Sequence, residues 1–222
     1  MRLVVVGGHT RNIGKTSVMA ALIREFAPLG WTAVKITQYG HGVCSHDGHA
    51  CGCAPEEHPF AMTEERSPDG RSDTSRYLAA GARQSLWPRA RQGQLAPALP
   101  LLKRRLEHAD WVVIESNSIL EFVDPLLYLV VVDPSRADFK ESAGRWLGRA
   151  HALIPVENGH PKDPQIGRGN GDGRASWIGL VEQLRAKPTF AVRSPEFWSP
   201  ALTHFVREHI ESKSRLEEPW PH

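Results

Sequence analysis

Near the start of the chain the apolar run Leu3-Val4-Val5-Val6 stops at Gly7-Gly8, and Gly14-Lys15-Thr16 then opens an amphipathic segment. This succession constrains the fold more than any other feature. A continuous apolar run is the pattern of a strand buried on both faces of a parallel sheet. Over Thr16–Phe26, the residues Val18, Met19, Leu22, Ile23 and Phe26 recur at helical spacing. Between strand and helix, Gly8 to Thr16 reads G-x5-G-K-T. A Walker A loop, G-x4-G-K-[ST], uses glycine so that backbone N–H groups can curl around phosphate oxygens. Its Lys neutralises the β- and γ-phosphates, and its hydroxyl ligates Mg²⁺. This loop is one residue longer, with His9 where the strict pattern places its first glycine. The helix N-terminus near Gly14 adds a preference for an anion. The expected nucleotide contacts are Gly8, Arg11, Asn12, Ile13, Gly14, Lys15, Thr16 and Ser17. The bland alternative is a Gly-Lys-Thr that merely begins a helix.

Strands and helices alternate beyond this point. Trp31–Ile36, Gln84–Trp87, Trp111–Ile114, Leu126–Val132, Ala152–Val156 and Phe190–Val192 read as strands. Helices are expected over Asp73–Ala82, with Asp73 as its cap, and over the later half of Leu95–His108, because Pro97 and Pro100 interrupt its start. Further helices are expected over Asp138–Leu147, Ser176–Ala186 and Pro200–Ser212, with Gly167–Gly173 as a loop. This alternation predicts an α/β fold, a P-loop NTPase with a mostly parallel sheet covered by helices on both faces. The organisation expected is a single domain over residues 1–212, a Cys/His-rich insertion at about 38–72 without regular structure, and a frayed polar tail at 213–222.

Gly8 to Ser17, Ala33-Val34-Lys35 and Asp73-Thr74-Ser75-Arg76 running into Ala80-Gly81-Ala82 together resemble the molybdopterin-guanine dinucleotide biosynthesis protein B (MobB) family. The resemblance covers roughly residues 1–160. It implies a P-loop NTPase of the class that includes dethiobiotin synthetase and nickel-insertion GTPases. Such proteins usually form homodimers and bind GTP in molybdenum cofactor maturation. The longer phosphate loop is similar to that of the dethiobiotin synthetase-like class. This chain departs from the family where Val113-Ile114-Glu115 is followed by Ser116 instead of glycine, and in its Cys/His stretch.

In an open parallel sheet, ligands lie outside the carboxyl ends of the strands. Glu115 ends one such strand and is a candidate for Mg²⁺ or for the attacking water, with Ser116, Asn117 and Ser118 beside it. Lys15, Glu115 and Asp73 are the candidate catalytic residues. Lys35 and Arg76 are candidate contacts to the γ-phosphate or to a second substrate, the alternatives for Asp73 and Arg76 being a helix cap and a surface cation. Asp133 ends another strand before Pro134, which reads equally well as a site residue or a strand-to-loop break. Asn158 stands where guanine-binding relatives carry Asn-Lys, but Gly159 and His160 follow it, so the base is open between GTP and ATP.

All three cysteines, Cys44, Cys51 and Cys53, fall in one short stretch with His41, His46, His49 and His58. An odd, clustered set is not a disulfide framework. Three thiolates with His49 or His58 suit zinc, and the rival is an iron–sulfur cluster on the three cysteines. The bland alternative is a loop with free thiols. If two chains meet at this edge, thiolates from both could share one metal.

Lys plus Arg number 27 against 25 for Asp plus Glu. That balance excludes a nucleic-acid binder working by bulk charge. No run approaches the ~20 apolar residues of a membrane helix, and the first apolar run is too short for a signal peptide. A cytoplasmic enzyme is expected, bound to no membrane and no nucleic acid. It would be an Mg²⁺-dependent NTPase supporting molybdenum-cofactor-type biosynthesis or metal-centre assembly. The alternatives are an ATP-dependent small-molecule kinase or ligase and a nucleotide-gated metallochaperone.

Overall fold

The computed structural model describes residues 1–39, 60–136, 140–157, 186–212 and 219–220. Among the described residues nine strands form one sheet: β1 (Arg2–Gly8), β2 (Thr32–Lys35), β3 (Thr37–Tyr39), β4 (Phe60–Glu65), β5 (Gln84–Arg91), β6 (Trp111–Glu115), β7 (Leu127–Val132), β8 (Ala152–Glu157) and β9 (Val192–Arg193). The helices are α1 (Lys15–Glu25), α2 (Asp73–Ala79), α3 (Leu99–Leu106), α4 (Glu141–Leu147) and α5 (Pro200–Ser212). Parallel pairing runs β5-β2-β6-β1-β7-β8-β9, with β1 central between β6 and β7. Among the described strands only β4 is antiparallel, against β5.

Alternate residues of β1 point to opposite faces and seed two cores. Val4 and Val6 pack with Val18, Met19, Leu22 and Ile23 of α1, Tyr77 of α2, and Leu202 and Val206 of α5. Leu3 and Val5 pack with Leu102 and Leu106 of α3 and with Leu147 near α4's end. Both faces are therefore covered, and the α/β architecture expected from the alternation is present.

Several expectations need correction. The first concerns the stretch expected to lack regular structure, which carries β3 at one end and β4 at the other. Strand β4 gives no apolar run because it is half exposed and ends in Glu64-Glu65. Glu64 pairs with Arg105 and accepts a hydrogen bond from Gln84, charge chemistry typical of an edge strand. Second, β5 extends beyond Trp87, through Pro88 to Arg91. β4 pairs with β5 from Ser85 to Ala90, so β2 and β3 share the opposite edge, where their common register places Pro88 opposite the break at Ile36. The missing proline N–H thus falls where the neighbour is itself interrupted.

Third, Asp73 is not the cap of α2. Ser72 caps it, its hydroxyl accepting from Ser75 N–H at 3.0 Å in a reciprocal capping box, which leaves the Asp73 carboxylate for other work. Fourth, the tail is not simply frayed: Trp220 is buried among Leu102, Leu106 and Val123, and Pro219 O accepts from Asp124 N–H at 2.9 Å. Helix α4 also begins at Glu141, later than the sequence pattern placed it. Gly167–Gly173 and all of Ser176–Ala186 except Ala186 lie outside the described residues. Among the described residues no helix is long and apolar enough to cross a membrane.

Candidate functional site

The carboxyl ends of β1, β2 and β6 open onto a cleft of about 760 Å³. Gly8, Arg11 to Ser17, Lys35, Asp73, Arg76 and Glu115 all line it. One end of the sheet thus gathers side chains from the first 120 residues onto the loop after β1.

The loop is held from several directions. Asn12 has φ 54° and Gly14 has φ 92°, left-handed conformations that Asn tolerates and Gly accepts without strain. Gly14 accepts the first turn's bond from Val18 N–H at 2.9 Å. Lys15 folds back over Gly8, where an added Cβ would lie 2.7 Å from Lys15 Cδ, and its ammonium donates to Thr10 O at 2.8 Å. Only glycine leaves that path for the lysine stem. His9 is buried, its N–H donates to Val131 O, and its carbonyl accepts from Lys140 N–H at 2.8 Å. Its Nδ1 also accepts from Asp133 N–H at 3.4 Å. The residue standing in place of the usual glycine therefore ties the loop to the end of β7.

Asn117 clamps the same loop, exchanging two hydrogen bonds with the backbone of Gly8. Gly7 gives room for it, since a Cβ there would lie 2.3 Å from Asn117 Oδ1.

Next to the loop lies a network of opposed charges. Glu115 is buried, and its Oε2 accepts from Thr16 Oγ1 at 2.9 Å and from the Tyr77 hydroxyl. Lys35 contacts Glu115 Oε1 at 3.5 Å and pairs directly with Asp73. Burial disfavours the charge on Lys35, but Glu115 and Asp73 outweigh it and hold its pKa above the ordinary lysine value. Burial likewise disfavours the Asp73 carboxylate, and Lys35 outweighs it, lowering the pKa. Tyr77 is pushed well above the usual phenol value by burial and by Glu115, so it stays a hydrogen-bond donor. Arg76 donates to Ser17 Oγ at 2.9 Å and stands 3.8 Å from Asp73.

The cations on the loop side are crowded. Burial lowers the Lys15 pKa, with Glu115 opposing it. Lys140, just before α4, is brought down to about 8 by burial and by its neighbours Lys15 and Arg11.

Asp133 does not line the cleft. It is buried and accepts from Ser135 N–H and Oγ at 2.9 and 2.6 Å, which makes it a strand-to-loop turn. Asn158 and the candidate metal ligands Cys44, Cys51, Cys53 and His49 lie outside the described residues, as does His58. Among the described residues, no group of three His, Cys, Asp or Glu could hold a metal by itself. The segment 40–59 joins Tyr39, paired with Arg91, to Phe60, paired with Ala90 of the same strand.

The sequence reading missed Tyr77 and Lys140. Tyr77 follows Asp73 by one helical turn, and that spacing is its only signal. Lys140 has none, because its place depends on how β7 returns to the loop.

No protein-family model matches the chain, and no curated protein matches it. Among solved structures, a chain of the MinC:MinD cell division protein complex of Aquifex aeolicus is similar at 14% identity and a TM-score of 0.41. That match covers 96% of this chain and 90% of the other. A likeness at that level carries no argument about what this chain does.

Proposed function

We propose that this chain is an Mg²⁺-dependent P-loop NTPase. The observation that carries the reading is Thr16 Oγ1 donating to Glu115 Oε2 at 2.9 Å beside a Lys15 folded over Gly8. A hydroxyl at the start of the helix and a carboxylate at the end of the neighbouring strand form a hard-oxygen pair beside a backbone cradle. That donor set fits Mg²⁺ completed by phosphate oxygens, with Thr16 and Glu115 as the protein ligands. The ion, when bound, neutralises charge building on the transferred phosphoryl group.

The remaining roles follow from position. Gly8, Arg11, Asn12, Ile13, Gly14 and Ser17 shape or border the cradle, and Lys15 faces the β- and γ-phosphates. Asp73, held by Lys35, presents a carboxylate to the cleft and would orient the attacking water. Arg76 and Lys35 lie on the γ-phosphate side, and Asn158 would meet the base. Phosphoryl transfer needs positioning and charge stabilisation above all, and these groups supply both.

The experiment is binding and turnover of Mg·GTP and Mg·ATP by the whole chain and by Lys15→Ala. Loss of both in a variant with unchanged circular dichroism supports the reading, and undiminished turnover overturns it. Competition between the two nucleotides decides the base.

The finer reading is support of molybdenum-cofactor-type biosynthesis or metal-centre assembly by a homodimer, and it rests on the resemblance to the MobB family. The Cys/His segment would add zinc or an iron–sulfur cluster on Cys44, Cys51, Cys53 and His49, a reading that rests on residue types and spacing. Elemental analysis of anaerobically purified protein tests it: iron with acid-labile sulfide supports a cluster, zinc a tetrahedral site, and neither metal removes both. A small-molecule kinase or ligase is favoured by one further feature, the cleft's continuation past Glu115 to Ser118, Glu121 and Trp146. ADP release that depends on a second substrate would mark that activity.

A further inference from the structure

The cleft does not end at the triphosphate cradle. Its far wall is built by the turn Ser118–Glu121 after β6 and by Ser142, Arg145 and Trp146 of α4, and Lys140, just before α4, joins that wall to the loop. These two pieces are fixed to each other. Arg149 donates to Leu120 O at 2.8 Å and Val123 O at 3.2 Å, and pairs with Asp124 at 2.8 Å. The guanidinium carbons of Arg149 and Arg145 each lie 5.3 Å from the centre of the Trp146 ring. Trp146 therefore holds Arg145 in place by cation–π attraction while Arg149 anchors the ring.

The charges across the cleft do not balance. Its described walls carry six cationic side chains against three carboxylates. Lys35 and Arg76 face Asp73 and Glu115, so those four are accounted for on the near side. Arg145 stands on the far wall, with Glu121 as the only carboxylate there among the described residues, and Lys140 stands where that wall meets the loop, its N–H donating to His9 O at 2.8 Å. A triphosphate with its divalent cation carries fewer negative charges than the remaining walls carry positive ones. The crowding shows on Lys140, whose charge is disfavoured by burial and by Lys15 and Arg11.

We propose that Lys140, Ser142 and Arg145 form a second anion subsite, which takes the phosphate group of a small second substrate while nucleotide occupies the loop. Two cations and a hydroxyl on one wall match a phosphate's dianionic charge and three acceptor oxygens better than they match a lone carboxylate. The subsite rests on the NTPase reading of the same cleft. It gives the second substrate a class: a phosphorylated small molecule whose reacting end faces Glu115 and Asp73.

The test is calorimetry of the whole chain, first with Mg²⁺ and a non-hydrolysable GTP or ATP analogue to saturation, then with inorganic phosphate. One phosphate per nucleotide-loaded chain is expected. Arg145→Ala should weaken phosphate by about tenfold and Arg145→Lys by less, with Ser142→Ala weakening it severalfold and analogue affinity holding within about twofold throughout. Analogue binding without phosphate binding overturns the subsite and leaves the NTPase reading standing. Loss of analogue affinity in a folded Arg145→Ala assigns that residue to the nucleotide and also overturns the subsite. Failure of the analogue to bind the unaltered chain removes both.

Discussion

Asn117 grips Gly8 on both sides of one residue: its Nδ2–H donates to Gly8 O at 2.8 Å and its Oδ1 accepts Gly8 N–H at 3.0 Å. A side-chain amide thereby replaces what a neighbouring strand would supply, at the point where β1 leaves the sheet to become the phosphate loop. Neither bond needs nucleotide, so the clamp is part of the resting loop. Asn117→Ala leaves a donor and an acceptor of Gly8 without these partners, at a combined cost of about 2 kcal/mol. Asn117→Asp keeps the acceptor but sets a carboxylate against Gly8 O and against incoming phosphate. Denaturant unfolding should therefore rank the aspartate near the alanine variant, while nucleotide titration should show the aspartate binding more weakly than alanine. Equal nucleotide affinity in the two variants would show that the clamp does not govern the loop.

The docked end of the chain makes a separate stability prediction. Trp220 is buried against the face built on α3, with the Lys103 ammonium 5.0 Å above its ring. Truncating so large a buried ring costs about 3 kcal/mol, and for a chain of this length Tm falls by roughly 6–12 °C. Calorimetry of Trp220→Ala checks this. A shift within about 1 °C would return the tail to the frayed state its polar sequence suggests.

What the sequence displays depends on how local each cause is. Strands β1, β6 and β7 are buried on both faces and show as apolar runs, and the loop after β1 shows because glycine, lysine and threonine must be consecutive there. Glu115 was legible because it ends such a run. Strand β4 was not, since an edge strand buries one side only and its charges mimic a loop. Asn117 was visible as a polar residue past a strand, but its partner lies 109 residues earlier, and no spacing rule connects them. The Lys35–Asp73 pair and the Tyr77 bond to Glu115 likewise require β2, α2 and β6 to be assembled first. Composition drew attention to the cysteines, but the spacing alone left zinc, an iron–sulfur cluster and free thiols all open.

Tyr77 is where the network predicts a functional effect from a residue that touches no ligand. Its hydroxyl and that of Thr16 donate to the same oxygen of Glu115. Thr16 and Glu115 would hold Mg²⁺ in the proposed mechanism, and the Tyr77 hydroxyl would keep the Glu115 carboxylate oriented for that role. Tyr77→Phe should raise the Mg²⁺ concentration for half-maximal turnover by about five- to tenfold, the equivalent of one ordinary hydrogen bond's net worth of about 1 kcal/mol. The maximal rate at saturating Mg²⁺ should change much less. A purely structural role for Tyr77 would lower stability while leaving the Mg²⁺ dependence where it was.

The last prediction is a pH dependence with a definite sign. Burial and the charges of Lys15 and Arg11 oppose protonation of Lys140 and bring its pKa down to about 8. Bound phosphates reverse that balance and raise its pKa, so the charged form binds the more tightly and binding takes up a proton wherever the lysine was neutral. Affinity for Mg·nucleotide should thus be level below about pH 8 and decline above it, by at most about tenfold per pH unit. The nucleotide's own phosphates are already ionised there, since a phosphate's second pKa lies near 6. Titration calorimetry at pH 8.5 in two buffers of different ionisation enthalpy counts the protons directly. Between 0.5 and 1 proton taken up is the rough expectation. Lys140 lies between the loop and α4 and borders both anions, so Lys140→Met should bind nucleotide, and then phosphate, more weakly at pH 7 and lose most of the nucleotide's decline above pH 8. A variant that kept the full decline would show that Lys140 is not its origin.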